Sequence, residues 1–337
     1  MSFSTNSTTT SAAADRSGGD PITAIHPDII QTHILNRLDG ATLASTSCAS
    51  SQFLALCSDD QLWRDVCNST WPSTTDPRVL RAISAFPSAH RSFYSDSFPS
   101  TTHQQHPKQA RLSETSELIS AVDIYCDDQL IYSKVLETET VSNWFLSFPL
   151  SLELLDAKEM VPTPLKIEGD NGACTSLAEE HLRVSWILID PNNKRAVNVA
   201  SHKAVYSRMH WSNGDIQLRY ATVASVATGE LVQCAVVVTC GGKEGGDLHV
   251  KEVKMQVEDM EGRTLSGKDS LEILQAAMEG PRRRIECKRE KDIYELFSRK
   301  KVQYREKEQR RETGLDMICI VTGLSIFFAI WIFFLWR

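Results

Sequence analysis

Between Pro27 and Trp63 aliphatic residues recur at helical intervals. Ile30, Ile34 and Leu38 fall four apart with Leu35 beside them, which predicts one apolar stripe on a helix. Pro27 sits where such a helix starts, a position at which its missing N–H costs nothing. A break at Asp39-Gly40 leads to Leu43, then to Phe53, Leu54 and Leu56, and Leu62-Trp63 closes the stretch. Several short helices of this size make a core that is marginal alone, so a partner surface is expected. Asp76-Pro77 caps and starts a further helix with Val79, Leu80 and Ile83 on one face. An aromatic-rich run follows over 86–99, and residues 97–117 have the polar composition of a linker.

From 118 to about 265 the period changes to two. Leu118–Cys126 and Leu130–Leu136 read as two strands joined by a turn at Asp127-Asp128. Leu182, Val184, Trp186 and Leu188 alternate with Arg183, Ser185, Ile187 and Ile189, and after the turn at Asp190-Pro191-Asn192-Asn193 the segment Arg195–Ser201 can pair back. Ile216, Leu218 and Tyr220 alternate again beyond Asn213-Gly214-Asp215, and Leu231–Cys240, almost wholly apolar, suits a central strand. Leu248 and Val250 are in one phase and Val253, Met255 and Val257 in the other, which predicts a β-bulge near Lys251-Glu252. So many strands at short spacing suggest an antiparallel sandwich.

Lys268–Met278 reads as a helix with Leu271, Leu274 and Met278 inward, ended by Gly280-Pro281. Residues 285–312 are highly charged, and the i,i+4 pairs Lys291–Glu295, Glu295–Arg299 and Glu306–Arg310 predict a solvated helix. Met317–Trp336 then carries no charge, a length that spans a hydrocarbon core of roughly 30 Å. The basic run 299–311 before it keeps that side cytosolic by charge bias. The reading is a single-pass C-terminal tail anchor with the body in the cytosol and the membrane engaged through residues 317–336; which membrane the sequence does not say.

The order of residues in 25–71 resembles the F-box. The family's motif opens Leu-Pro, has an aliphatic residue three places after the Pro, and continues with an Ile-Leu pair, two further leucines, an aromatic residue and a final Leu-Trp. Here those places hold His26-Pro27, Ile30, Ile34-Leu35, Leu38, Leu43, Phe53 and Leu62-Trp63. His26 replaces the opening Leu, Ile29 the usual acid, and Ala49-Ser50-Ser51 a Val-Cys-basic run. Most of the chain is similar to a group of plant F-box proteins, on the segments 26–35, 86–99, 186–191, 253–262 and 267–275. The resemblance implies that Pro27, Ile30, Ile34, Leu35, Leu38, Leu43, Phe53, Leu62 and Trp63 engage a Skp-type adaptor, and through it a cullin. The remainder then selects an unknown protein substrate.

Composition narrows this further. The net charge is −7, yet residues 282–311 hold thirteen Lys/Arg against six Asp/Glu, so the rest is clearly acidic and nucleic acid is not the expected partner. Nine scattered cysteines without a CxxC pair fit a reducing compartment better than a disulfide scaffold. His26, His33, His202, His210 and His249 show no metal spacing, the glycines of 241–246 follow no phosphate-loop pattern, and no nucleophile elbow occurs. No cofactor, metal or catalytic residue is therefore expected. Trp144, Trp186 and Trp211 are read as core residues rather than as a ligand groove.

The expected fold is α+β. A disordered N-terminus (1–20) precedes the helical F-box module (21–71), a helical extension (72–98) and a linker (99–117). An antiparallel β-sandwich-like domain (118–281), a charged basic helix (282–314) and a transmembrane helix (315–337) follow. The function this implies is that of a membrane-tethered, non-catalytic substrate receptor of an SCF-type ubiquitin ligase. The alternative is a tail-anchored module that binds protein, glycan or lipid and whose F-box assembles no ligase.

Overall fold

A computed structural model describes residues 25–98, 115–167, 171–225, 230–243, 245–280 and 287–336. The expected disorder of 1–20 and most of the expected linker lie outside the described residues. The chain divides into two compact units, Met1–Leu62 and Trp63–Arg337.

In the first unit, α1 (Pro27–Ile29) runs on through a π turn, Ile30–Ile34, and a 3₁₀ turn, Leu35–Arg37. Then come α2 (Gly40–Thr46), α3 (Ser51–Leu56) and the start of α4 (Asp60–Thr70). Each later helix begins at a side-chain acceptor, which satisfies an otherwise orphaned backbone donor. Asp39 accepts from the Thr42 N–H at 2.7 Å, Ser50 from the Phe53 N–H at 3.2 Å and Asp59 from the Gln61 N–H at 3.1 Å. Ile30, Leu35, Leu43, Cys57 and Leu62 are the buried apolar residues.

The second unit opens with an aromatic cluster. Trp63 and Trp71 pack on Tyr94 at 5.4 and 5.3 Å, and Phe86 meets Phe93 edge-on at 6.0 Å. Trp63 is on α4 and Trp71 just after it, Phe93 and Tyr94 are on α6 (Ala89–Ser97) and Phe86 precedes it, and α5 (Pro77–Ser84) adds Val79, Ala82 and Ile83 from a helix capped by Asp76, as expected.

Two antiparallel sheets follow. The first, ordered β2-β1-β5-β6, uses β1 (Glu117–Cys126), β2 (Gln129–Glu139), β5 (Leu182–Asp190) and β6 (Arg195–Asn198). The second, ordered β3-β10-β9-β8-β7, uses β3 (Ser151–Glu153), β7 (Tyr206–Met209), β8 (Ile216–Ser225), β9 (Leu231–Gly241) and β10 (Asp247–Glu258), and β4 (Val161–Lys166) pairs with β10. Leu118, Val122, Ile124, Val184, Trp186 and Leu188 from one sheet share a core with Leu218, Tyr220, Val236, Val238, Met255 and Val257 from the other. The helices α7 (Asn143–Ser147) and α8 (Asn171–His181) are followed by α9 (Gly267–Glu279), which adds Leu271, Leu274 and Met278 to that core.

Local chemistry accounts for the connections. Asp127 and Asp128 adopt φ of 49° and 63°, the left-handed pair that a two-residue hairpin requires. The register of β10 against β9 slips between Val250 and Glu252, so the predicted bulge is present and Leu248, Val250, Val253, Met255 and Val257 all face the core. Gly280 closes α9 at φ −62°, ψ 155°, an extended conformation of the kind imposed on a residue before proline and not a left-handed cap.

The strand β5 has no solvated face: Ile187 and Ile189, with Ile119, Ala121 and Ala196, point away from the shared core and are buried all the same. Segment 71–98 lies on that face. Asp123 accepts from the Ser73 N–H (2.9 Å) and hydroxyl (2.6 Å), Asp96 accepts from the Ala196 N–H at 3.2 Å, and Arg78 donates to the Val135 carbonyl at 3.1 Å. Burial pushes the Asp123 carboxyl upward, against hydrogen bonds from Ser73 and Ser133 that pull it down.

Two expectations need correction. Among the tryptophans, Trp186 is in the core, but Trp144 is 70% and Trp211 93% exposed, Trp144 stacking on Phe148 at 5.5 Å. Lastly, the charged and apolar segments form one helix, α10 (Cys287–Leu335), whose charged half is not solvated all round. Glu290, Tyr294, Phe297 and Lys301 make a stripe of helical spacing against the second sheet, where Tyr294 packs on Val205, Ala221 and Ala235. Of the predicted pairs, Glu295–Arg299 and Glu306–Arg310 are seen at 3.7 and 4.0 Å, whereas Lys291 turns to Glu179 at 3.3 Å.

Candidate adaptor-binding face

In a regular α-helix residues five apart lie about 140° apart around the axis, so Ile30 and Leu35 could not both enter one small core. The chain buries both, at 1% exposure each, by widening one turn: the Leu35 N–H is shared between the Gln31 carbonyl and the Ile30 carbonyl five residues back. The same offset acts on their neighbours. Ile29 and Ile34, also five apart, are left 50% and 46% exposed. The expected stripe Ile30–Ile34–Leu38 is thereby replaced by an inner pair, Ile30 and Leu35, and an outer pair, Ile29 and Ile34. Leu38 is half-buried in extended backbone that ends the run.

The other expected residues divide by burial. Pro27 is exposed at the first helical position, where the His26 ring Nδ1 accepts from the Asp28 N–H at 3.3 Å. Leu43 and Leu62 are buried in the first unit, and Phe53 is half-buried on α3. Trp63 is buried against Tyr94 in the second unit. The amide of Gln31 donates to Asp59, tying the widened turn to the cap of α4. Among the nine, Ile34 is the large apolar side chain left exposed. Three further exposed aliphatics of this unit lie outside the expected adaptor-binding set, Ile25, Ile29 and Leu54, the last 45% exposed. The signal for Ile29 was its own departure from the motif, an aliphatic residue where the family places an acid. Small buried and exposed aliphatic sets of this kind hold no proton-transfer group and no ligand for a metal; what they offer chemically is apolar area to a partner.

Comparison with known proteins agrees with this location. A family model described as F-box-like matches residues 27–69. The chain is 45% identical to the F-box protein At2g27310 of Arabidopsis thaliana, over 97% of this chain and 100% of that one. It is 40% identical to the F-box protein At3g44326 of the same plant, over 93% of this chain and 90% of that one. To the probable F-box protein At2g36090, also of Arabidopsis thaliana, it is 41% identical over 94% of this chain and 95% of that one. No solved structure matches.

Proposed function

This chain belongs to the F-box proteins, and from that premise we propose that it is a substrate-recognition subunit of an SCF-type, cullin–RING ubiquitin ligase. Residues 27–69 bind a Skp-type adaptor, which brings the cullin, and the two-sheet body binds the protein to be modified. The chain supplies position rather than catalysis. The observation that carries this reading is the outer pair Ile29 and Ile34, held half-exposed by the turn that buries Ile30 and Leu35. An exposed aliphatic pair inside the matched segment is apolar surface for a partner to cover.

The apolar half of α10 is proposed as a membrane span. It is a helix long and apolar enough to cross a membrane, and its side chains from Leu315 to Trp336 are exposed on every side. Its two hydroxyls are satisfied within the helix, Thr322 on the Ile318 carbonyl and Ser325 on the Val321 carbonyl, both at 2.8 Å, as lipid demands. The basic residues before it keep the body on the cytosolic side.

The departures His26, Ile29 and Ala49-Ser50-Ser51 favour a second reading, a membrane-anchored binding module that assembles no ligase. Recovery of the full chain from detergent-solubilised membranes decides between them. The first reading expects adaptor and cullin to co-purify with it and to be lost when Ile29 and Ile34 are both changed to Asp. A wild-type chain that brings down neither leaves the second reading.

A further inference from the structure

Where α10 crosses the second sheet, its stripe leaves a cleft of about 320 Å³. Arg208, Arg219, Lys301 and Arg305 line it, with Glu258 as the one carboxylate in the lining. Arg219 and Lys301 both pair with Glu258, at 3.0 and 3.2 Å. Burial raises the Glu258 carboxyl, but Arg219 and Lys301 more than offset this and hold it below its usual range. The other two guanidiniums meet neutral acceptors: Arg208 the amide oxygen of Gln217 at 2.8 and 2.7 Å, Arg305 the backbone carbonyl of Glu261 at 3.1 and 2.7 Å. The nearby acids Asp259 and Glu261 are both taken by Arg263, at 3.0 and 2.8 Å. Gly262, at φ 87°, allows this approach, since a Cβ there would stand 2.4 Å from the Arg305 guanidinium.

One further lining residue is unsatisfied. Gln233 on β9 is 1% exposed, and its side-chain Nε2 has no hydrogen-bond partner. A buried donor left unmade is costly, so the cleft is short of an acceptor as well as of negative charge. Tyr206 and Tyr294, ring centroids 6.4 Å apart, supply an aromatic wall.

We propose that this cleft binds a small organic anion, its carboxylate or phosphate oxygens received by Arg305, Arg208 and the Gln233 amide and its body resting against Tyr206 and Tyr294. The volume holds about ten water-sized groups, which suits a small acid or phosphomonoester and excludes a peptide. The site joins the sheet to the helix that leads towards the apolar span, so occupancy stiffens that junction. This proposal does not depend on adaptor capture.

The test titrates the full chain, in neutral detergent, with phenyl phosphate and with inorganic phosphate, following tyrosine and tryptophan fluorescence and the thermal midpoint. Phenyl phosphate should bind with a Kd of about 1 mM or tighter and raise the midpoint, inorganic phosphate more weakly. Arg305→Gln, at an exposed position, should weaken binding at least about tenfold, the loss of a charge-assisted hydrogen bond. Gln233→Leu removes a buried unmade donor, so it should raise the midpoint of the free protein and reduce the rise produced by phenyl phosphate. No saturable binding of either probe, or equal binding by Arg305→Gln and Gln233→Leu, overturns the proposal. A lipid headgroup offers the same phosphate chemistry, so the titration is repeated in phosphatidylcholine and in phosphatidylserine nanodiscs. Equal affinity in both supports a soluble ligand, and loss of phenyl phosphate binding in phosphatidylserine overturns it.

Discussion

Ile34 and Leu35 are adjacent, of the same chemistry, and fall on opposite sides of the fold. That one of them had to leave the core follows from sequence, because neighbours on a helix cannot both face a small interior. Which one leaves was not legible, because a π turn has no signature in aliphatic spacing and the regular period points to the wrong pair. The structural assignment has an energetic consequence. Leu35→Ala should destabilise the protein by about 2–5 kcal/mol, whereas Ile34→Ala should stay within about 0.5 kcal/mol of wild type; urea unfolding of the full chain in detergent separates the two.

A second residue-scale prediction concerns Glu290, buried at 4% exposure with its Oε2 accepting the His202 N–H at 3.1 Å. Burial drives its carboxyl up to about 7 from an ordinary value of 4.5, against the opposing His202 hydrogen bond. Between those values the folded state holds a proton that the unfolded chain has released, so stability falls as pH rises through that window. His202, lowered by burial and then by Arg183 and Lys203, acts with the opposite sign, so the comparison must be between variants. Glu290→Gln should melt with wild type below about pH 4.5 and above it in temperature beyond about pH 7. A constant offset across this range would exclude the role given to Glu290.

At the scale of elements, the period-two segments from Leu118 to Val257 gave most strands, the hairpin at Asp127-Asp128 and the bulge at Lys251, because each has a local cause. Among the strands, β3, β4 and β7 were not legible. β4 carries Pro162 and Pro164, which argue against a strand in sequence, but it lies at an edge with Val161, Thr163 and Leu165 inward, and proline is tolerated there. That segment 71–98 covers one face of the first sheet and the first half of α10 a face of the second was not legible either, because strand and helix patterns report how apolar a face is and not what covers it. The helical segment therefore belongs to the folding of the sheet beneath it. A fragment of residues 63–281 should unfold cooperatively. Residues 115–281 alone, with Ile119, Ala121, Ile187 and Ile189 uncovered, should lose that cooperativity or associate, as read by urea unfolding and light scattering. Equal stability of the two fragments would show that the hydrogen bonds of Asp123 and Asp96 contribute little.

For the whole molecule, the F-box at one end and the apolar half of α10 at the other were visible in sequence as two patterns with different periods. The cation-lined cleft was not, since Arg208, Arg219, Gln233 and Lys301 come from four separate elements. If the apolar half of α10 is a membrane span, changing Phe327 and Ile330 together to Lys adds about 2.5–3.5 kcal/mol each to insertion. The variant should leave the membrane fraction after a carbonate wash while the wild type stays; a variant retained with the membrane would show that another segment holds it there.

The central claim is that the outer aliphatic pair of the widened turn is the adaptor contact, and direct titration tests it. A purified Skp-type adaptor is added to the full chain in detergent and the Kd is measured for wild type, Ile34→Asp and Leu130→Asp, the last an exposed leucine on β2. Ile34→Asp should bind at least about thirtyfold more weakly, a loss of about 2 kcal/mol as expected of an interface anchor, with an unchanged melting temperature, and Leu130→Asp should bind as wild type. Wild-type affinity in a folded Ile34→Asp protein would contradict it.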